Sequence, residues 1–160
     1  NLSKGMLSML TVIIGLASKA EITILDEPAA GLDVIVREEF YKLIIDEQQE
    51  NGRTFIISTH IIEEVANVFE EVIILKDKCV YLKENTVELL DKCRYVSGLE
   101  EDVKNAVDGC KIINEEHIGR SYAVTVMQDG DGKIKAVQHV TVQPVSLQNL
   151  FIAICGQSNM

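Results

Sequence analysis

The sequence predicts an α/β fold with a mostly parallel sheet, followed by a small α+β appendage. Two short apolar, β-branched runs, residues 22–25 and 54–57, have the composition of strands covered on both faces of a parallel sheet. An amphipathic helix lies between them, and this order of elements forms a right-handed crossover. From about residue 93 the elements become shorter and mixed in type. We therefore expect two parts, residues 1–92 and residues 93–160.

The helix between the two strands has recognisable ends. Asp33 is placed to cap its first turn, and Asn51-Gly52 is typical of a helix C-terminus. Its apolar stripe consists of Val36, Phe40, Leu43 and Ile44. We expect this stripe to face the core of the sheet.

Other elements are predicted from the same periodicities. The apolar stretch at residues 6–17 contains polar residues and is too short to cross a bilayer, so it predicts a buried helix. The remaining elements are a helix with Ile62, Val65, Ala66 and Phe69 on one face, strands at 72–75 and 80–82, helices at 86–91 and 99–107, strands at 111–113, 122–127 and 134–142, and a closing helix at 146–154.

The charge and the cysteines exclude several classes of site. The formal net charge is −10 and no Lys/Arg run occurs, which argues against a nucleic-acid-binding face or a basic membrane-surface helix. Any membrane contact is therefore expected to go through a protein partner. The four cysteines lack zinc-ligand spacing and are interpreted as reduced core thiols of a cytoplasmic protein. Residues 129–132 predict a hairpin turn rather than a calcium loop, whose twelfth position would be Val140.

Polar residues follow each of the two predicted parallel strands. Asp26-Glu27 ends the first strand and Ser58-Thr59-His60 ends the second. Because ligands of open α/β sheets bind beyond the carboxyl ends of the strands, these groups are expected to meet at one edge. Either cluster alone has a simpler explanation, as a turn former, a helix cap or a structural histidine. Together they match the needs of phosphoryl transfer, which are a magnesium-holding carboxylate, a group that activates water and a phosphate sensor.

Three motifs resemble those of ABC ATPases. Residues 22–33 closely resemble the family's Walker-B and D-loop run, with Asp26-Glu27 at its centre. Leu2-Ser3-Lys4-Gly5-Met6 is similar to the signature Leu-Ser-Gly-Gly-Gln, although Lys4 and Met6 depart from it. Ser58-Thr59-His60 with the following Glu63-Glu64 resembles the family's His switch, and the separations between the motifs also match.

The resemblance implies a role for each matching residue in binding ATP and Mg²⁺. Asp26 would hold Mg²⁺ through water, Glu27 would be the general base for the attacking water, and His60 would contact the γ-phosphate. Glu27 has the weakest structural explanation, because adjacent acids at a strand end repel each other unless a cation is near.

The same resemblance implies that two ATP-binding subunits act together. Ser3 and Gly5, at a helix N-terminus, would bind the γ-phosphate of ATP held by the opposite subunit. Asp33 would link the two sites across a homo- or heterodimer. Ser3 and Asp33 are also placed to cap helices, and capping is compatible with these roles.

The resemblance to the family is incomplete. No Gly-x-x-x-x-Gly-Lys-[Ser/Thr] occurs, so the P-loop is missing, and the chain, which begins at Asn1, is expected to start within a domain and to bind ATP poorly by itself. It is thus expected to be a partial P-loop NTPase core. Residues 145–151 resemble the closing helix of exporter-type members, although an amphipathic terminal helix would give the same pattern.

The function implied is that of the ATP-hydrolysing subunit of an ABC transporter. It would drive transport, with export favoured, through a separate integral membrane subunit at the cytoplasmic face of the membrane. A soluble cassette acting on ribosomes or DNA is disfavoured, because residues 61–64 replace the Asp-Arg that usually follows the switch His in ribosome-type members. A non-catalytic regulatory cassette is disfavoured because Asp26, Glu27 and His60 are all retained.

Overall fold

The computed structural model describes residues 3–130 and 132–156, except for the side chains of Lys4 and Glu64. The elements in chain order are α1 (Lys4–Ala17), β1 (Ile22–Asp26), α2 (Val34–Asn51), β2 (Thr54–Ser58), α3 (Ile62–Val65), β3 (Glu71–Lys76), β4 (Cys79–Asn85), α4 (Thr86–Lys92), β5 (Cys93–Gly98), α5 (Glu100–Ala106), β6 (Lys111–Ile118), β7 (Ser121–Met127), β8 (Thr141–Pro144) and α6 (Leu147–Cys155). None of the helices in the described ranges is long and apolar enough to cross a membrane.

The chain divides into two compact units, Asn1–Val68 and Phe69–Met160. The division predicted after residue 92 falls inside the second unit, at the junction of α4 and β5. Helix α4 contacts both β4 and β5, which ties the strands before and after residue 92 together. A functional boundary at residue 92 stays a prediction.

In the first unit, β1 and β2 form the predicted parallel pair. Their register runs from Ile22 opposite Thr54 to Asp26 opposite Ser58, and α2 connects them. This strand, helix and strand arrangement confirms the α/β class. Both ends of α2 are as predicted. Asp33 Oδ1 accepts from the N–H of Val36 at 3.0 Å, and Gly52 ends the helix at φ 64°, a conformation that glycine adopts without steric cost.

The burial of this unit differs from the prediction. Phe40 and Ile44 of the α2 stripe are buried, but Leu43 is half exposed and Tyr41 is buried instead. Helix α3 ends at Val65 and does not include Phe69.

Helix α1 was predicted to be buried and is not; several of its apolar side chains are exposed, namely Met6, Leu7, Leu10, Ile13 and Ile14. Ile24 of β1 is 73% exposed, so this strand is covered on one face rather than two. Within the first unit, no described segment packs over these faces.

Arg53 is a buried charge that holds the first unit together. Its side chain is 4% exposed, and its guanidinium lies 4.9 Å from the centre of the Phe55 ring. Its acceptors are the carbonyl oxygens of Gly15 (3.0 Å), Leu16 (3.1 Å) and Ala20 (2.9 Å), Thr23 Oγ1 (3.0 Å) and Glu47 Oε2 (2.8 Å). Two of these carbonyls belong to the last turn of α1, where the helix itself supplies no donors. Lys19 and Arg53 together lower the pKa of the Glu47 carboxyl.

The second unit begins with a β-hairpin and a helix. Strands β3 and β4 pair antiparallel around Asp77 and Lys78, which both have positive φ angles, as a type I′ turn requires. Asn85 then caps α4 by accepting from the N–H groups of Val87 and Glu88. The predicted strands and short helix of this region are therefore present.

The rest of the second unit is a four-stranded antiparallel sheet in the order β6-β7-β5-β8. Its core consists of Val96, Val103, Val107, Tyr122, Val124 and Val126. Helix α6 buries Leu147, Leu150, Ala153 and Ile154. The predicted α+β appendage is thus present.

Two details of the appendage were predicted wrongly. The strand predicted at 134–142 exists only as β8, because His139 has φ 63° and interrupts the extended chain before Thr141. Strand β8 pairs with β5 rather than β7, so residues 129–132 do not form a hairpin between β7 and β8. Asp131 of that segment lies outside the described residues. The four cysteines are free thiols, but their predicted place in the core holds fully only for Cys93, because Cys79 is exposed and the other two are partly buried.

Candidate functional site

The carboxyl ends of β1 and β2 bring the two predicted polar clusters together. Asp26 and Ser58 are the last residues of the paired strands and lie opposite each other, and Ser58 Oγ donates a hydrogen bond to Asp26 Oδ1. One residue further along, the N–H of Glu27 donates to the carbonyl oxygen of Ser58 at 2.9 Å. The parallel register therefore places both carboxylates beside the end of β2.

Glu27 is held in an unusual conformation at this edge. Its φ of 46° lies in the left-handed region, which costs a non-glycine residue about 1–2 kcal/mol. The conformation persists because several contacts fix it. The Glu27 carbonyl accepts from the N–H of Ala30 at 3.1 Å, while its N–H is bound to Ser58. A left-handed turn directly after a strand aims the carboxylate back across the end of β2.

The Glu27 carboxylate is bound by two consecutive residues of the second cluster. Its Oε1 accepts from the N–H of His60 at 3.1 Å and lies 2.7 Å from His60 Nδ1. Its Oε2 accepts from Thr59 Oγ1 at 3.3 Å. The side chains of Glu27 and His60 remain 36% and 76% exposed, so both are accessible from solvent. The predicted general base and the predicted phosphate sensor are therefore in direct contact, while their catalytic roles stay predictions.

The other three predicted site residues lie in a second group, at the start of α1 and in residues 30–33. Ser3 Oγ accepts from the N–H of Met6 at 3.2 Å and caps α1, and Asp33 caps α2. Gly5 lies against the backbone of Gly31, since a Cβ on Gly5 would come 2.6 Å from the Gly31 carbonyl oxygen. Leu2 of the predicted signature lies outside the described residues. No hydrogen bond among the described residues joins Ser3, Gly5 or Asp33 to the carboxylate cluster.

We expect Gly5→Ala to destabilise the protein by about 1–3 kcal/mol, because the new methyl group would force the backbone at Gly31 to move. Alanine normally stabilises a helix by about 1 kcal/mol relative to glycine, so a loss here would report the close approach. Urea unfolding of the full-length protein measures the change. Gly15→Ala, in the same helix, is the control, because its nearest neighbours are side-chain methyls at 3.3 and 3.4 Å. A stabilising Gly5→Ala would contradict the expectation.

The chemistry of the donor set fits a magnesium ion that is shared with a nucleotide. The described residues contain no group of three or more His, Cys, Asp or Glu placed to hold a metal by themselves. Magnesium at phosphoryl-transfer sites needs fewer protein ligands, because phosphate oxygens and water complete its octahedron. Asp26 has one carboxylate oxygen anchored by Ser58 and is exposed at the strand end, as such a ligand must be.

The sequence alone assigns no separate role to Ser58 or Thr59. In the structure each contacts one of the two carboxylates, with Ser58 on Asp26 and Thr59 on Glu27. The signal that could have revealed this is the register. If Asp26 and Ser58 end neighbouring parallel strands at the same level, the residues that follow them are neighbours as well.

Comparison with known proteins identifies relatives over both parts of the chain. A family model described as "AAA domain, putative AbiEii toxin, Type IV TA system" matches residues 1–66. The "ABC transporter ATP-binding protein YtrB" of Bacillus subtilis (strain 168) is 24% identical over 161 residues, which cover 97% of this chain and 55% of that protein. The "Uncharacterized ABC transporter ATP-binding protein MJ1023" of Methanocaldococcus jannaschii is 34% identical over 152 residues, which cover 94% of this chain and 52% of that protein.

A third relative matches a shorter stretch. The "Energy-coupling factor transporter ATP-binding protein EcfA2" of Staphylococcus saprophyticus is 33% identical over 106 residues, which cover 66% of this chain and 37% of that protein. This chain therefore spans about half the length, or less, of these relatives. The first two alignments also include the appendage, whereas the family model ends at residue 66.

Proposed function

Because this chain belongs to the ATP-binding proteins of ABC transporters, we propose that the full-length protein hydrolyses ATP to drive transport through a separate integral membrane subunit. It would work at the cytoplasmic face of the membrane. The observation that carries the proposal is the pair of carboxylates, Asp26 and Glu27, at the end of β1, with His60 from the end of β2 in contact with Glu27. Phosphoryl transfer requires this combination of groups in one place.

Each group of the carboxylate cluster has a part in the proposed reaction. Asp26 holds the Mg²⁺ of Mg·ATP, and the ion when bound neutralises charge that develops on the phosphate oxygens. Glu27 accepts a proton from the attacking water, for which its exposed carboxylate is accessible. His60, whose side chain is more exposed than that of Glu27, would contact the γ-phosphate.

The second group of residues supports a dimeric enzyme. Ser3 and the backbone of Gly5 lie at the N-terminus of α1, whose helix dipole and free N–H groups favour a phosphate. No hydrogen bond among the described residues joins them to the Glu27 cluster, which supports their acting on ATP held by a second ATP-binding subunit. Asp33 follows Gly31, which touches Gly5, and so would connect the two sites. The part of the protein that this chain does not span would supply the P-loop.

We propose export as the direction of transport, on the basis of the closing helix. Residues 145–151 resemble the corresponding segment of exporter-type members, and Ser146 caps α6 by accepting from the N–H of Asn149 at 3.2 Å. Transport of substrate into inside-out vesicles that contain the full-length protein and its membrane subunit tests the direction. ATP-dependent uptake by such vesicles indicates export, and its absence together with ATP-dependent uptake by right-side-out vesicles would indicate import.

The experiment that tests the ATPase has two steps. The native gene is first read upstream of Asn1, where the proposal requires a strand followed by Gly-x-x-x-x-Gly-Lys-[Ser/Thr]. The full-length protein is then assayed for phosphate release from ATP with Mg²⁺ and with excess chelator. Turnover that depends on Mg²⁺ supports the proposal. A gene without the P-loop segment, or a protein without turnover, would instead favour a non-catalytic cassette.

A further inference from the structure

We propose that Thr59 is a positioning residue, which orients the carboxylate of Glu27 for proton abstraction from water. This inference rests on the proposed ATPase function and adds a residue to its site. Thr59 donates from Oγ1 to Glu27 Oε2, the oxygen that His60 does not contact. His60 contacts only Oε1, which leaves the carboxylate free to rotate about the Cγ–Cδ bond. The contact of Thr59 with Oε2 therefore fixes this rotation.

The hydrogen bonds of the Thr59 hydroxyl fix its orientation. Its oxygen accepts from the N–H of Ile61 at 3.1 Å, so that lone pair is occupied. The single hydroxyl hydrogen is then donated to Glu27 Oε2. Threonine is also branched at Cβ, which restricts χ1 and keeps the hydroxyl in this place. The side chain is partly buried, so water competes with the contact less than it would at an exposed hydroxyl.

The contact between Thr59 Oγ1 and Glu27 Oε2 is a long one. At 3.3 Å it is longer than an ordinary hydrogen bond between a hydroxyl and a carboxylate. Catalytic hydrogen bonds are often long in the absence of substrate and tighten when it binds. When the γ-phosphate draws His60 away from Oε1, the Thr59 hydroxyl and the Ser58 carbonyl, which binds the Glu27 N–H, still hold Glu27 in place. One carboxylate oxygen then faces the water while the other stays anchored.

A second role for Thr59 predicts different results. Its contact with the N–H of Ile61 also shapes the loop after β2, and a residue that only shaped this loop would affect folding and nucleotide affinity. A positioning residue affects the rate of the chemical step and leaves binding unchanged. The two roles are therefore separated by comparing kcat with KM.

The test uses Thr59→Val in the full-length protein, which keeps the shape and removes the hydroxyl. We expect kcat for ATP to fall about 10- to 100-fold, with KM and ATP affinity unchanged, since a small misplacement of a catalytic group has an effect of this size. Tm should fall only slightly, because the N–H of Ile61 loses its acceptor. Thr59→Ser restores the hydroxyl and should recover most of the rate. In a Glu27→Gln background, Thr59→Val should cause no further loss, because no base is left to orient. Thr54→Val, at the opposite end of β2, is the matched control.

The outcomes that overturn the inference are distinct from those that overturn the ATPase function. An active wild-type protein with equal turnover in Thr59→Val would refute the positioning role alone. The same holds if KM and ATP affinity change together with kcat and serine gives no rescue, because that pattern belongs to loop shaping. A wild-type protein without Mg²⁺-dependent turnover would refute the proposed function, and the inference with it.

Discussion

Glu27→Gln in the full-length protein is expected to lower the ATP turnover number by about 100- to 10,000-fold, the range that general base catalysis contributes. Glutamine has nearly the same size and keeps an oxygen that can accept a hydrogen bond. It cannot take a proton from water, because an amide is not basic. The positive φ of residue 27 and its backbone bond to Ser58 do not depend on the side-chain charge. The variant should therefore fold and bind ATP as the wild type does.

Single-turnover and steady-state assays of phosphate release measure the loss, and equilibrium binding of ATP checks that affinity is retained. Glu21→Gln is the matched control, since Glu21 immediately precedes β1 at the end remote from the site. It should leave turnover unchanged. If Glu27→Gln hydrolyses ATP at the wild-type rate, Glu27 is not the base.

Arg53→Met is expected to destabilise the folded protein by about 3–5 kcal/mol, the usual cost of removing one member of a buried, hydrogen-bonded ion pair. Methionine fills much of the same space but donates no hydrogen bonds. The carbonyl oxygen of Ala20 would lose its Arg53 donor, and those of Gly15 and Leu16 would keep only the donors that follow α1. Glu47 would lose one of its two cationic partners. These acceptors lie on α1, on the segment before β1 and on α2, so the substitution removes the contacts of residue 53 with three segments at once.

Urea unfolding of the full-length protein followed by circular dichroism measures this effect. Arg53→Lys keeps the charge but has fewer donors in a different geometry, so an intermediate loss is expected. Arg120→Met is the control, because Arg120 lies in the exposed turn between β6 and β7 and its loss should cost less than about 0.5 kcal/mol. Equal effects of Arg53→Met and Arg120→Met would mean that the buried network contributes nothing to stability.

Prediction from sequence succeeds best where short-range rules are strong. The helix between Asp33 and Gly52 was predicted at both ends, because a carboxylate N-cap and a left-handed glycine act within one turn of the chain. The grouping of Asp26 and Glu27 with His60 was also predictable. Parallel strands joined by a crossover must end at the same edge, so residues that follow them become neighbours.

Prediction from sequence fails where burial depends on what lies opposite. The apolar residues of α1 and Ile24 of β1 have the composition of core residues, yet they are exposed. Periodicity shows which side chains share a face but not whether anything covers that face. Similarly, residues 134–140 resemble a strand, but the positive φ of His139 interrupts the chain before β8.

The sequence by itself determined the α/β class, the order of the main elements and the residues that meet at the ends of β1 and β2. These follow from local propensity and from a connection rule that leaves few alternatives. Only the tertiary structure decided that Arg53 joins three segments, that Gly5 touches Gly31, and that Thr59 binds the free oxygen of Glu27. Most of these contacts join residues that are 26 or more positions apart along the chain, and no local pattern encodes such a distance. The contact of Arg53 with Glu47, six positions away, depends on the side-chain rotamers.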